Sequence, residues 1–414
     1  MKVLVYGINY SPELTGIGKY TGEMAAWFQK KGHSVRIITA PPYYPQWEVD
    51  KKYSSFLYRR ETIDGVRVYR SPLYVPSKPK TLNRLLHLMS FSLSSSLLLI
   101  KHLFWKPDVI ISIEPTMFCA PSTLLFSKIS KAKSVLHIQD FELDAMLGLG
   151  MGKEGGISRF GSKIESKIMS KFDMVSSISY SMVQLANKKM EGENESLYFP
   201  NWVDIDFITP NANRGYFLNK WEIPESKKVV LYSGNLGKKQ GLEIVLQAAE
   251  SMLSQEEVLF IIVGTGAAKD ELLSQAKKLK LTNVQFHPLQ EYKDLPSLMT
   301  LADLHLVIQK KGAANAVLPS KLTTILSAGG TALITAEKDT ELGLFCEKNP
   351  EAAYCVEPEE LDIFTEKLRT ILSSIDVSTR AHNNSARSYA ITYLEKNKVL
   401  EKFEQDIQEL VAES

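Results

Sequence analysis

Short apolar runs alternate with longer amphipathic stretches along the whole chain. In the first half the runs are Val3–Ile8, Ser34–Thr39, Val66–Arg70, Val109–Ile113, Ser134–Ile138 and Met174–Ile178. In the second they are Val229–Tyr232, Val258–Val263, Val284–Phe286, Leu304–Ile308, Thr331–Thr335 and Ala353–Val356. Most are rich in Val and Ile and apolar at successive positions, as strands covered on both faces of a parallel sheet should be. The intervening stretches, such as Lys19–Lys31, Leu242–Leu253 and Lys269–Lys280, carry helical spacing. This alternation predicts a doubly wound α/β architecture built on parallel sheets. The series pauses near Phe199-Pro200-Asn201-Trp202-Val203-Asp204 and resumes at Lys227 after the polar stretch Asn211–Ser226. A boundary there separates a domain over 1–200 from one over 201–380. Ala386–Val411 reads as one or two helices within a closing region, 381–414, that packs back on the first domain. Open parallel sheets hold ligands at the carboxyl ends of their strands, where strand order reverses. Two such domains would face each other across a cleft, a common place for a small-molecule site.

Composition narrows the class without naming a chemistry. The chain has 414 residues, 44% hydrophobic and 23% charged, which fits two or three globular domains. It argues against a mainly disordered, collagen-like or polytopic membrane chain. The three cysteines, Cys119, Cys346 and Cys355, are scattered and odd in number. They form neither a disulfide framework nor a zinc site and fit a reducing compartment. No histidines show metal-ligand spacing, so no metal is expected. The first apolar run is too short for a signal peptide, so the expected location is the cytoplasm.

Net charge changes the picture once it is resolved along the chain. The formal total is +2, yet residues 1–200 carry 26 Lys and Arg against 17 Asp and Glu. The surplus lies between Lys51 and Lys106: Lys51, Lys52, Arg59, Arg60, Arg67, Arg70, Lys78, Lys80, Arg84, Lys101 and Lys106, opposed by Glu61 and Asp64. Such asymmetry points to a polyanionic partner: nucleic acid, anionic membrane or phosphorylated substrate. The same segment holds a run without Asp, Glu, Lys or Arg from Leu85 to Ile100, diluted by serines and His87. It is short and polar for a spanning helix. Core burial and a membrane-surface helix both remain open.

Several loops could carry chemistry. Tyr10-Ser-Pro-Glu-Leu-Thr-Gly-Ile-Gly-Lys-Tyr20 follows the first strand and opens a helix. Gly16 and Gly18 would let backbone N–H groups approach an anion there. Tyr232-Ser-Gly-Asn-Leu-Gly-Lys-Lys-Gln-Gly-Leu-Glu243 does the same in the second half, with Lys238 and Lys239 adding charge. Neither matches a dinucleotide fingerprint or a Walker A motif. Val263-Gly264-Thr265-Gly266 is a third such turn. Pro319 and Ser320 open a helix, and Lys321 in its first turn opposes the helix dipole, which hints at an anionic partner. His137-Ile-Gln-Asp140 ends an apolar strand, where open-sheet sites form. Pro41-Pro-Tyr-Tyr-Pro-Gln-Trp47 follows the second strand and would line a sugar or lipid groove, or pack on itself.

With these phrases in hand, the chain resembles the family-four retaining glycosyltransferases of the GT-B fold. Within them it is most similar to the colanic acid biosynthesis fucosyltransferase and fucosaminyltransferase group. Tyr6–Tyr20, Ala40–Pro45, Leu136–Asp140, Tyr232–Gly237 and Leu318-Pro-Ser-Lys-Leu322 carry the likeness, in order across nearly the whole chain. The resemblance implies two Rossmann-like domains facing a cleft, no metal, and a nucleotide-diphosphate sugar as donor substrate, with GDP-fucose first and UDP-N-acetylfucosamine next. It implies donor binding mainly in the second domain and acceptor binding in the first. The expected acceptor is a polyprenyl-diphosphate-linked sugar on the inner face of the cell membrane. Carried over by position, the catalytic set is His137, Asp140, Lys239 and Lys321. The donor-binding set is Gly16, Gly18, Gly234, Asn235, Gly237, Lys238, Gln240, Gly264, Pro288, Leu289, Ser320 and Thr324. Asn235 stands where most relatives have Arg, and Gln240 where they have Lys before glycine. Ala316 and Thr324 replace the usual glutamate pair, whose second member holds ribose hydroxyls. The missing charge is therefore sought in Lys238, Lys239 or Lys321.

Other readings stand beside this one. A sugar-nucleotide epimerase would share the architecture. A non-catalytic GT-B-like binding protein would explain the lost glutamates. A NAD-dependent dehydrogenase lacks its fingerprint, and a nucleic-acid binder lacks a matching motif, so no nucleic-acid partner is expected.

Overall fold

The computed structural model describes residues 1–13, 16–77, 81–115, 117–141, 156–191, 195–312 and 319–413, with backbone alone at 81, 156–160 and 162. Contacts divide the chain into two units, Met1–Pro200 with Leu400–Ser414, and Asn201–Val399.

The first unit holds β1 (Lys2–Tyr6), β2 (Ser34–Thr39), β3 (Arg59–Ile63), β4 (Val66–Arg70), β5 (Val109–Glu114), β6 (Lys133–Ile138), β7 (Met174–Ser177) and β8 (Leu197–Tyr198). Their order is β3-β4-β2-β1-β5-β6-β7-β8. All neighbours are parallel except β3, which runs antiparallel to β4. Its helices are α1 (Gly16–Lys30), α2 (Thr81–His102), α3 (Ala120–Ser130), α4 (Gly156–Met169) and α5 (Tyr180–Lys189). Of the β3–β4 hairpin, β4 is among the strands expected from the sequence pattern and β3 is not. Asp64 and Gly65 make its turn, both with positive φ (49° and 79°), the conformation a tight hairpin needs. On one face of the sheet, Leu88, Phe91 and Leu99 of α2 pack on Leu4, Tyr6, Ile38 and Ile110.

The second unit holds β9 (Lys228–Asn235), β10 (Val258–Thr265), β11 (Val284–His287), β12 (Leu304–Val307), β13 (Ala332–Thr335) and β14 (Ala353–Val356), all parallel, in the order β11-β10-β9-β12-β13-β14. Around them lie α6 (Gly215–Lys220), α7 (Glu243–Ser251), α8 (Lys269–Lys278), α9 (Leu295–Leu301), α10 (Ser320–Ser327), α11 (Glu341–Lys348), α12 (Leu361–Ser374) and α13 (Asn384–Tyr389). Alternate residues of one strand enter different cores. Val229 and Leu231 join Leu301, Leu322 and Leu326, whereas Val230 and Tyr232 join Leu246, Phe364 and Leu368. This double burial is why the strands read as unbroken apolar runs.

Helix α14 (Lys396–Ala412) is divided between the units after Val399. Beyond that point Phe403 stacks on Phe199, with centroids 3.7 Å apart. Glu401 pairs with Lys31 at 2.8 Å, and Glu404 with His33. In each sheet the order reverses beside the first strand, between β1 and β5 and between β9 and β12. The strand ends at those points are where a ligand is held in this architecture.

Candidate functional site

In the second unit, the end of β9 and the start of α10 meet at two side chains. Lys321, in the first turn of α10, places Nζ 3.3 Å from the Tyr232 hydroxyl and 4.5 Å from the centre of its ring. The hydroxyl donates onward to the Asn235 carbonyl at 2.8 Å. Burial pulls the Lys321 pKa down to about 8, and burial lifts that of Tyr232 well above its ordinary range. Among the described residues Lys321 makes no ion pair. A half-buried charge without a counterion is unfavourable unless something else supplies the negative partner. The N-terminus of α10 begins after Pro319 with no side-chain cap, so its first N–H groups point the same positive end outward.

The surrounding loop is shaped by close backbone approaches. Gly234 has φ +148°, and a Cβ there would lie 3.9 Å from Lys321 Nζ. Gly264 has φ +156°, and a Cβ would overlap the Gly234 carbonyl oxygen. Gly264 therefore serves the packing of the β10 turn on the β9 turn. A Cβ on Gly237 would sit 2.6 Å from Gln240 Oε1. That oxygen is buried with no hydrogen-bond partner among the described residues. Asn235, Lys238 and Lys239 are exposed, and the Lys239 carbonyl accepts from Lys310 N–H at 3.2 Å. A cavity of about 310 Å³ opens beside this loop, lined by Gly241, Glu243, Gln247, Gln309, Lys310, Thr335 and Glu359. Neither Lys239 nor Lys321 lines it.

Ser320 is exposed, and its carbonyl accepts from the Thr324 hydroxyl at 3.0 Å. Thr324 thus spends its donor on its own helix. Ala316 lies outside the described residues. Pro288 and Leu289 are exposed after β11, where the Gln290 side chain donates to the Pro288 carbonyl and accepts from Lys220 Nζ at 2.9 Å.

In the first unit, His137 is the penultimate residue of β6 and is buried. Its Nε2 accepts from Gln139 Nε2 at 2.9 Å, which leaves Nδ1 to donate to Ser176 Oγ at 3.0 Å. Phe199 packs 4.8 Å from the ring, and burial drives its pKa down to about 3. This imidazole is neutral at physiological pH and serves as a hydrogen-bonding group more readily than as an acid or base. Asp140 is open to solvent on one side, yet burial of its surroundings raises its pKa against the opposing charge of Arg84.

Gly16 has φ +60° and opens α1. Gly18 is committed to a neighbour, because a Cβ would sit 2.6 Å from Glu13 Oε2. The buried Glu13 carboxylate accepts from Asn9 at 2.9 Å and from the N–H groups of Tyr43 and Tyr44 at 3.1 Å each. It thereby ties the first glycine-rich loop to the Pro41–Trp47 loop. Arg70 braces the same region: its guanidinium donates to Glu61 at 2.5 Å, Ala40 O at 2.7 Å and Ser11 O at 2.5 Å. Counting Arg70 with the basic surface segment is thus corrected, since it is wholly buried. Lys51, Lys52, Arg59, Arg60, Arg67, Lys101 and Lys106 are exposed; Lys78 and Lys80 lie outside the described residues. Sequence reasoning missed Glu13 and Arg70. Glu13 had one signal, a lone acid in a stretch otherwise uncharged up to Lys19; Arg70, three residues after Arg67 at the end of β4, had none.

Comparison with known proteins places these features. Residues 214–388 match the family described as glycosyl transferases group 1, and residues 15–202 match the glycosyl transferase 4-like domain. The chain is 50% identical over 412 residues to a protein of Escherichia coli (strain K12) named as the colanic acid biosynthesis glycosyl transferase WcaI, covering 98% of this chain and 100% of that one. Among solved structures, a glycosyltransferase from Rickettsia africae superposes with a TM-score of 0.74 at 15% identity, covering 100% and 99% of the two chains. Anabaena HepE in complex with UDP and glucose superposes with a TM-score of 0.67 at 14% identity, covering 99% of each. At these identities the two structures speak to the fold.

Proposed function

Because the chain belongs to the glycosyl transferase group 1 family and is a glycosyltransferase of the GT-B fold, we propose that its second unit holds the diphosphate of a nucleotide sugar on Lys321, the α10 N-terminus and the Ser233–Gly241 loop. The observation that carries this is the Lys321 ammonium, half-buried beside Tyr232 and Gly234 and without an ion-pair partner among the described residues. A diphosphate supplies the missing negative charge. Lys239 is the second cation, reaching from an exposed loop position. Gln240 Oε1, buried with no hydrogen-bond partner among the described residues, is the acceptor for a hydroxyl of the donor.

The chemistry follows from charge. The bond between the sugar anomeric carbon and the diphosphate oxygen breaks, leaving negative charge on the diphosphate. The acceptor hydroxyl oxygen bonds the same carbon from the same face, and a diphosphate oxygen takes its proton, so configuration is retained. Preorganised cations and N–H groups that stabilise such a leaving group are worth about 2.7–4 kcal/mol each. No step is assigned to a metal; His137, buried with both ring nitrogens bonded to Ser176 and Gln139, is a positioning residue that holds the end of β6 in shape.

The proposed donor is GDP-fucose, with a UDP-linked fucosamine next. The name of the E. coli relative supports an acceptor within exopolysaccharide assembly. HepE, solved with UDP, supports a nucleoside diphosphate at this fold. The proposed acceptor is a polyprenyl-diphosphate-linked sugar, reached by peripheral contact with anionic lipid on the inner face of the cell membrane. The test is a thermal-shift panel of GDP-, UDP- and dTDP-sugars, followed by transfer to a lipid-diphosphate sugar. A donor that stabilises the protein and is consumed only with acceptor supports the reading. Isomerised donor without acceptor would make it an epimerase, and tight donor binding without turnover a binding protein.

A further inference from the structure

Helix α2 carries two apolar stripes on opposite faces. The inward one, with Phe91 at 0% and Leu99 at 3% exposure, is sealed against the β-sheet of the first unit. The outward one runs Leu82, Leu86, Met89, Leu93, Leu97, Ile100 and then Phe104 in the following turn. These recur every three or four residues, so they form one line along the helix. Leu93 is 72% exposed, Leu97 61% and Phe104 90%. Leu125 and Ile129 of α3 are exposed too. So are Phe56 and Leu57, beside Tyr58, whose hydroxyl donates to the α2 carbonyl of Ser94 at 2.9 Å. A line of exposed apolar side chains of this kind marks an interaction site.

We propose that this outward face is inserted into the lipid bilayer, with α2 lying in the plane of the membrane. The proposal rests on the membrane-linked acceptor suggested above and adds the element and depth of docking. Three observations select the bilayer. The helix cannot span it, because that would pull Phe91 and Leu99 off the sheet. The serines that make the run look polar are bonded internally: Ser92 to Phe118 O, Ser94 to Pro72 O, Ser95 to Phe91 O and Ser96 to Ser92 O. They bring no unmet hydrogen bond into lipid. The rim is cationic, with Lys101 on α2 and Lys106 after the turn that follows it, no Asp or Glu between Thr81 and Pro107, and exposed Arg59 and Arg60 on β3. Anionic headgroups complement that rim, whereas a second copy of the chain would set it against itself.

Flotation of the full-length protein with phosphatidylcholine vesicles, and with vesicles that also contain phosphatidylglycerol, tests this. Wild type is expected on both, more on the anionic ones, because apolar insertion does not need headgroup charge. The double substitution Leu93→Glu with Leu97→Glu is expected to weaken vesicle binding by a factor of about ten or more while leaving the donor-induced thermal shift unchanged. The single substitution Leu97→Trp is expected to add fluorescence, over the wild-type signal, that brominated lipid quenches. Unchanged flotation of the double variant, no quenching of the fluorescence that Leu97→Trp adds, or a dimer in solution that the double variant splits would overturn the proposal. Loss of donor shifts with every nucleotide sugar, alongside normal flotation, would count against the glycosyltransferase site and leave the docking face standing.

Discussion

Lys321 Nζ lies 3.3 Å from the Tyr232 hydroxyl, in a setting dry enough to lower its pKa to about 8. The two residues are 89 positions apart, and among the described residues no carboxylate completes the pair. A stability penalty is therefore held at the strand ends until an anion arrives. Lys321→Met removes the buried charge and keeps the shape. It is expected to stabilise the unliganded protein by about 1–3 kcal/mol while abolishing the donor-induced thermal shift. Chemical denaturation with and without nucleotide sugar checks both halves.

The same residue sets a pH dependence. Below about pH 8 the folded and unfolded states both carry the proton, and the burial penalty is borne in full. Above it the folded state loses the proton first, so unliganded stability rises towards the ordinary lysine pKa. Donor affinity runs the other way and falls as pH passes upward through about 8. Calorimetric titration across that range should show proton uptake on donor binding in wild type and none in Lys321→Met.

His137 should not titrate near neutrality. With its pKa at about 3 and both nitrogens bonded to Ser176 and Gln139, its ring resonances are expected to stay constant between about pH 5 and 8 by NMR. His137→Ala is expected to cost about 1–3 kcal/mol of stability from the stranded partners. An imidazole titrating near its ordinary value of about 6.5 would contradict the buried placement.

Arg70 and Arg60 separate structural from surface charge. Arg70→Ala leaves the Ala40 and Ser11 carbonyls without their donor and Glu61 with Arg59 alone, at 3.4 Å, and is expected to destabilise by about 3–5 kcal/mol. Arg60→Ala, on an exposed strand position, is expected to change stability by less than about 0.5 kcal/mol. Thermal denaturation of the two variants decides.

Much of this architecture is legible in the sequence because both sheets are covered on both faces. Each Val- and Ile-rich run then announces itself, as at Val258–Val263 within β10. The edge strand β3 was illegible by that criterion, since Arg-Arg-Glu-Thr-Ile is mostly polar and one face meets solvent. Its Asp64-Gly65 turn was the better signal. At the site, Lys321 stands out in the sequence as a cation at a helix start. Its bed on Tyr232 does not, because only the tertiary fold brings β9 and α10 together. The α2 run reads as uncharged all round, and only packing reveals which apolar stripe is sealed and which is left open.

Stabilisation of the departing diphosphate is assigned to Lys321 and Lys239. Its most direct test is the rate of sugar transfer from the donor selected by the thermal-shift panel to a lipid-diphosphate sugar, comparing wild type with the Lys239→Ala, Lys321→Ala double variant. Loss of two leaving-group cations predicts a fall in kcat of about 10²-fold or more, with the fold intact by circular dichroism. Wild-type turnover in the double variant would contradict it.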